Sequence, residues 1–116
     1  MFIQYNPEHL NGVINGCIPR ALSCAYNKKV FYDEDIRKNW RKLLLNDNFT
    51  YVNIPAKPFK KRMTVKELAQ NSNPNSLIIC STANHVVCIK NNNYYDTGDS
   101  GNMCVFYYFE KEDKVC

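Results

Sequence analysis

The sequence has no apolar stretch approaching the roughly 20 residues of a membrane span. Its opening, "MFIQYNPEHLNG", lacks the basic region and long apolar run of a secretory signal. These two absences make a cytoplasmic location, with no membrane partner, the expectation. No C-x-x-C pair occurs, so a zinc site has little support and no metal is expected. The six cysteines are Cys17, Cys24, Cys80, Cys88, Cys104 and Cys116. An even count would suit disulfides in a secreted chain; without a secretory signal, reduced thiols are the expectation. Strong charge is missing too. The net charge of +4 is too mild to demand a nucleic-acid partner. The excess is partly local, in "KPFKKR" at 57–62, which reads as a solvated basic loop or a contact for an acidic partner or phosphate. No DNA- or RNA-binding motif accompanies it. Repeats and long linkers are absent, so residues 1–116 are expected to form one domain.

Hydrophobic residues make up 45% and charged residues 22%, a balance that argues against disorder in most of the chain. A first helix is expected at or just after Cys17, in "CIPRALSCAYN". Pro19 falls in its first turn, where a missing N–H is harmless. Ile18, Ala21, Leu22 and Ala25 form its apolar stripe, and Gly16 allows a tight entry turn. A second helix is expected from about Asp33 to Asp47, with Ile36, Trp40, Leu43 and Leu44 at helical spacing. In "TVKELAQNS", Thr64 and Glu67 make a capping box, and Val65, Leu68 and Ala69 are the buried side. After Pro74 the pattern turns to strands: "SLIICS", a hairpin of "HVVCIK" and "NYYDT", and "MCVFYYFE". Helices first and an antiparallel sheet second predict the α+β class.

Histidine is scarce: only His9 and His85 occur. His9 lies in a polar lead-in and is expected to be exposed. Cys17 opens a helix, where partial positive charge and free N–H groups favour thiolate and could hold an oxyanion. An imidazole would complete an activated nucleophile, and a carboxylate would fix its tautomer. A two-residue turn at Asn91 and Asn92 pairs Lys90 with Asn93 and Val87 with Asp96. His85 then shares a sheet face with Asp96. A three-residue turn sets His85 against Asp99 instead. Asp96 is the favoured orienting acid and Asp99 the alternative. Against this stands a bland reading of a helix-packed cysteine, a surface histidine and a turn aspartate.

The stretches "NGCIPRALSCAYNKKVFYDEDI", "MTVKELAQ" and "HVVCIKNNNYYDTGDSG" resemble small papain-like cysteine peptidase domains of bacteriophage and bacterial genomes. The family pattern runs glycine-aspartate-cysteine into an arginine-alanine-leucine helix. A "mTv.ela" helix follows, then a strand opening on glycine-histidine and an "iyDTwD" hairpin. The resemblance covers about Asn11 to Tyr108. It implies a minimal papain-like fold, with N-terminal helices packed on a C-terminal antiparallel sheet. It makes Cys17 the nucleophile, His85 the general base and Asp96 the orienting residue, with no cofactor, and gives Arg20 a structural place. The papain-like fold often adds an upstream amide to the oxyanion hole. Asn11 is the preferred candidate over Asn15, with ordinary turn chemistry as the alternative for both. Three positions depart from the pattern: Gly16 stands where an acidic residue is usual, Asn84 where glycine is common, and "DTGD" replaces "DTwD". The absent tryptophan removes an aromatic wall over the histidine–aspartate pair.

The expected activity is hydrolysis or acyl transfer at a peptide, isopeptide or amide bond in a protein or peptide substrate, in the host cytoplasm if the chain is phage-encoded. The rival class is an inactive papain-like interaction protein, such as a phage-encoded inhibitor of a host factor. A nucleic-acid module built on Lys57 to Arg62 is a third.

Overall fold

Residues 1–13, 16–56, 58 and 61–112 are described by the computed structural model. Among them, in chain order, lie β1 (Phe2–Gln4), α1 (Cys17–Tyr26), α2 (Glu34–Asn46), β2 (Thr50–Asn53), α3 (Val65–Asn71), β3 (Ser76–Thr82), β4 (His85–Lys90), β5 (Asn93–Asp96) and β6 (Tyr107–Glu112). The strands form one sheet in the order β1-β5-β4-β3-β6-β2. The class is α+β, as the sequence predicts.

Each helix boundary has a local cause. α1 starts at Cys17 as expected. Gly16 precedes it with an ordinary φ of −81°, so its role is close approach rather than backbone freedom. A Cβ there would meet the Val13 carbonyl oxygen and Arg20 Nη2, each at 3.2 Å. Asn27 ends α1 in the left-handed region at φ 52°, its N–H donating to the Ser23 carbonyl. The Asp33 carboxylate caps α2 by accepting from the Asp35 N–H. At α3 the expected capping box is present: Thr64 Oγ1 accepts from the Glu67 N–H, and Glu67 Oε1 from the Thr64 N–H.

The sheet is covered on both faces. Leu77 and Ile79 of β3 with Val86 and Cys88 of β4 meet Leu22 of α1 and Trp40 and Leu44 of α2. On the other face, Ile78, Cys80, Val87 and Ile89 meet Val65 and Leu68 of α3. A central strand sandwiched this way needs apolar residues at consecutive positions, and β3 is buried at all seven. Burying each large aliphatic side chain is worth about 1.5–3 kcal/mol.

Three expectations change. The sheet is not wholly C-terminal or antiparallel. β1 pairs in parallel with β5, and β2 joins the far edge beside β6. Both are three or four residues long, too short for a periodic signal. The last strand begins at Tyr107 rather than Met103. The segment before it is tied down by single bonds instead, Val105 N–H to the Met63 carbonyl and Phe106 N–H to that of Ser81. Leu43 is exposed, whereas Trp40 and Leu44 carry the buried face of α2.

The β4–β5 turn decides the position of Asp96. Asn91 and Asn92 have φ of 54° and 62°, the two left-handed residues of a tight hairpin. Lys90 pairs with Asn93, Ile89 with Tyr94 and Cys88 with Tyr95. This is the two-residue register. Asn84, in the preceding turn, has φ 57° and so occupies a conformation that glycine or asparagine adopts at little cost.

Candidate active site

Cys17 is the first residue of α1, His85 the first of β4 and Asp96 the last of β5. α1 lies across β4, which brings the thiol beside the imidazole. The Cys17 thiol and the His85 imidazole are close enough for each to shift the other's pKa. His85 Nε2 donates to Asp96 Oδ2 at 2.5 Å, which leaves Nδ1 for the sulfur. Asp96 is 4% exposed. Its Oδ1 accepts from the Thr97 N–H at 2.7 Å. The buried Ser100 hydroxyl has no hydrogen-bond partner among the described residues, and it lies close enough to the same carboxylate to help lower its pKa.

The electrostatics of the three groups point the same way. Burial pushes the Cys17 thiol up. Hydrogen bonds from the His85 side chain and the Val86 backbone, the imidazolium charge and the Ile18 backbone outweigh burial, and the thiol ends below its ordinary value. The Asp96 hydrogen bond, then that of Cys17, raise His85 from 6.5 to about 9 against the opposing effect of burial. Burial raises the Asp96 carboxyl, but His85, Ser100 and the Thr97 backbone hold it below the carboxylate norm. The three shifts favour a thiolate–imidazolium pair backed by an ionised carboxylate.

Around the pair is an open cleft of about 990 Å³. One wall is α2, through Arg37, Lys38, Trp40 and Arg41, and the β3–β4 turn and Tyr107 face it. No family model matches this chain, and no curated protein or solved structure is similar to it.

The other candidate residues fall elsewhere. Asp99 does not face His85; its Oδ1 accepts from the Tyr94 hydroxyl at 2.6 Å and the Gly101 N–H at 2.9 Å. Asn11 is exposed, its Oδ1 accepts from Asn6 Nδ2 at 3.3 Å, and it does not line the cleft. The structure therefore does not bring it to the sulfur. Asn15 lies outside the described residues. His9 is not exposed as expected: its Nε2 lies 3.0 Å from the Val30 carbonyl and 3.3 Å from Ser23 Oγ, a structural tie between the lead-in and α1. Gly98, in place of a tryptophan, is exposed, yet Asp96 is buried without an aromatic wall. Of the basic run, Lys57 and Lys60 lie outside the described residues. Arg62 is structural: its Nε donates to the Ile54 carbonyl and its guanidinium stacks on Phe106.

Cys17, Cys24, Cys80, Cys88 and Cys104 are free thiols. Cys104 is half-buried. Among the described residues no cluster of three His, Cys, Asp or Glu could hold a metal, and no helix is long and apolar enough to cross a membrane. Sequence reasoning missed Ser100, Arg37, Lys38 and Arg41. The three basic residues follow the acidic start of α2, and nothing local marks their face as a cleft wall.

Proposed function

We propose that this chain is a papain-like cysteine hydrolase or acyl transferase acting on a peptide, isopeptide or amide carbonyl. The observation that carries the reading is the Cys17–His85–Asp96 relay, with the sulfur at a helix N-terminus and open to a cleft.

The Cys17 thiolate attacks the carbonyl carbon, forming the C–S bond and a tetrahedral oxyanion. α1 has no side-chain cap, and Pro19 has no N–H. Ile18 N–H faces the sulfur, so the Cys17 N–H is the donor left for the oxyanion. His85 gives the Nδ1 proton to the leaving amine as the C–N bond breaks, and a thioester remains. Neutral His85 then takes a proton from water, or from an acceptor amine, which attacks the thioester and releases the thiolate. Asp96 keeps the Nε2 proton in place throughout and stabilises the imidazolium.

The test is alkylation at neutral pH with an electrophilic peptide or iodoacetamide, read by mass spectrometry. Cys17 is expected to react ahead of the other five thiols. Asp96→Asn is expected to slow that reaction about 10²-fold or more, because the imidazolium loses its anionic partner. Cys17 reacting no faster than Cys104 would falsify the reading.

A further inference from the structure

The cleft beside Cys17 has a one-sided charge. Arg37, Lys38 and Arg41 all line it, and no Asp or Glu does so among the described residues. Three cations sharing a concave surface repel one another, and an anionic ligand would relieve that repulsion. Among the described residues only Arg37 has a carboxylate partner there, Glu34 at 3.4 Å, with both side chains more than half exposed. Such a pair is weak and open to exchange.

Arg41 differs from the other two because it is pre-positioned. Its guanidinium lies 4.6 Å from the Trp40 ring centroid and 5.6 Å from that of Tyr107. Its Nε donates to the Tyr107 hydroxyl at 2.7 Å. Trp40 is 2% exposed, and Tyr107 belongs to the central sheet, so this support is rigid. With Nε engaged, the two Nη groups have no acceptor among the described residues. A planar fork held on aromatic rings matches a carboxylate bidentately, at little entropic cost on binding. Lys38 adds charge without geometry.

We propose that this cleft selects substrates carrying a carboxylate near the bond to be cut, with Arg41 as its fork and Lys38 and Arg37 as flanking charges. The inference rests on the acyl-transfer reading for its choice of a peptide over any other anion. The carboxylate comes from an acidic side chain or from a chain terminus, and the two are separable.

The experiment measures binding to Cys17→Ala protein, so it does not depend on turnover. Three dye-labelled alanine-rich peptides are compared by fluorescence anisotropy: one with a central Glu and an amidated end, one with Gln and an amidated end, and one with Gln and a free C-terminal carboxylate. Either carboxylate peptide is expected to bind about tenfold or more tightly than the neutral one, as a charge-assisted pair supplies. The tighter of the two identifies the source. Added salt shrinks the difference. Arg41→Gln brings the ratio close to one, and Lys38→Gln, on an exposed position, lowers it without disturbing the aromatic stack. Equal binding of all three peptides overturns the proposal. So does a single-stranded oligonucleotide that displaces the Glu peptide at lower concentration than unlabelled Glu peptide, since the cleft is then a polyanion groove. Slow alkylation of Cys17 with carboxylate-selective binding intact would remove the acyl-transfer reading and leave the pocket.

Discussion

His85 and Cys17 act on stability in opposite senses, and the difference is measurable. His85 is raised from 6.5 to about 9. A raised histidine contributes stability that is complete below its unfolded value and lost as pH rises through its folded one. Cys17 is lowered, so its contribution is present above the unfolded thiol value and lost as pH falls through the folded one. Where the folded pair is thiolate and imidazolium, its proton sits on the ring. In the unfolded chain the same proton sits on sulfur. Both states hold one proton, and the pair leaves stability level with pH. Cys17→Ala breaks this balance, because Asp96 still holds a proton on folded His85 that unfolded histidine gives up. Relative to the native chain, the variant is expected to lose stability from about pH 6.5 upwards, with a slope approaching about 1.4 kcal/mol per pH unit. Urea unfolding at several pH values from about 6 to about 9 reads the slope. Parallel curves for the two proteins would show that His85 is not held as imidazolium.

Among the elements, the β4–β5 turn does two jobs, one at each asparagine. Asn91 is exposed and supplies only its left-handed backbone. Asn92 has the same conformation, and its Nδ2 donates to the Ala69 carbonyl at 2.9 Å and the Ser72 carbonyl at 2.7 Å. Those carbonyls lie at the end of α3, so Asn92 fastens the hairpin to the helix behind the sheet. Glycine keeps the turn geometry at both sites. Asn91→Gly is therefore expected to change stability by less than about 0.5 kcal/mol. Asn92→Gly is expected to cost about 1–3 kcal/mol, from two hydrogen bonds of about 0.5–1.5 kcal/mol each. Denaturant midpoints of the two variants check the asymmetry. Equal losses would mean that the turn conformation alone matters.

For the molecule as a whole, the site exists only in the folded chain. Cys17 and His85 sit far apart in the sequence and meet because α1 packs on the face of β4 that presents Val86 and Cys88. The reactivity proposed for Cys17 should therefore vanish in one step with global unfolding, as Cys24, Cys80 and Cys88, each 3% exposed or less, become open to reagent. Pulse alkylation through a urea titration, set beside circular dichroism, tests this. Ile79→Ala, at the centre of the sheet, is expected to shift both transitions together and to cost about 2–5 kcal/mol. Loss of Cys17 reactivity well before the sheet melts would show that α1 detaches independently.

The relation between sequence and structure follows the range of the interactions. Helix starts at Cys17 and Val65 and the capping box at Thr64 and Glu67 rest on neighbours a few residues apart, so they were legible. Three consecutive asparagines fit two turn lengths, so Asp96 was only favoured over Asp99 until the register at Lys90 and Asn93 decided between them. The apolar runs of β3 and β4 likewise marked strands, though not that helices lie on both faces. What the sequence alone could not decide depends on distant parts of the chain. Nothing near Phe2 or Thr50 says that short segments there will find sheet edges. Asn11 had a suitable spacing but turns instead to Asn6. His9 looked free until Val30 and Ser23 closed on it. Arg41 becomes a placed fork only when Tyr107, far along the chain, supplies a hydroxyl and a ring. Local sequence thus determined the three helices, the strands β3 to β5 and the three titratable groups they carry. Packing of α1 and α2 onto the sheet decided which of those groups touch and what charge surrounds them, because a contact between remote residues has no local pattern to announce it.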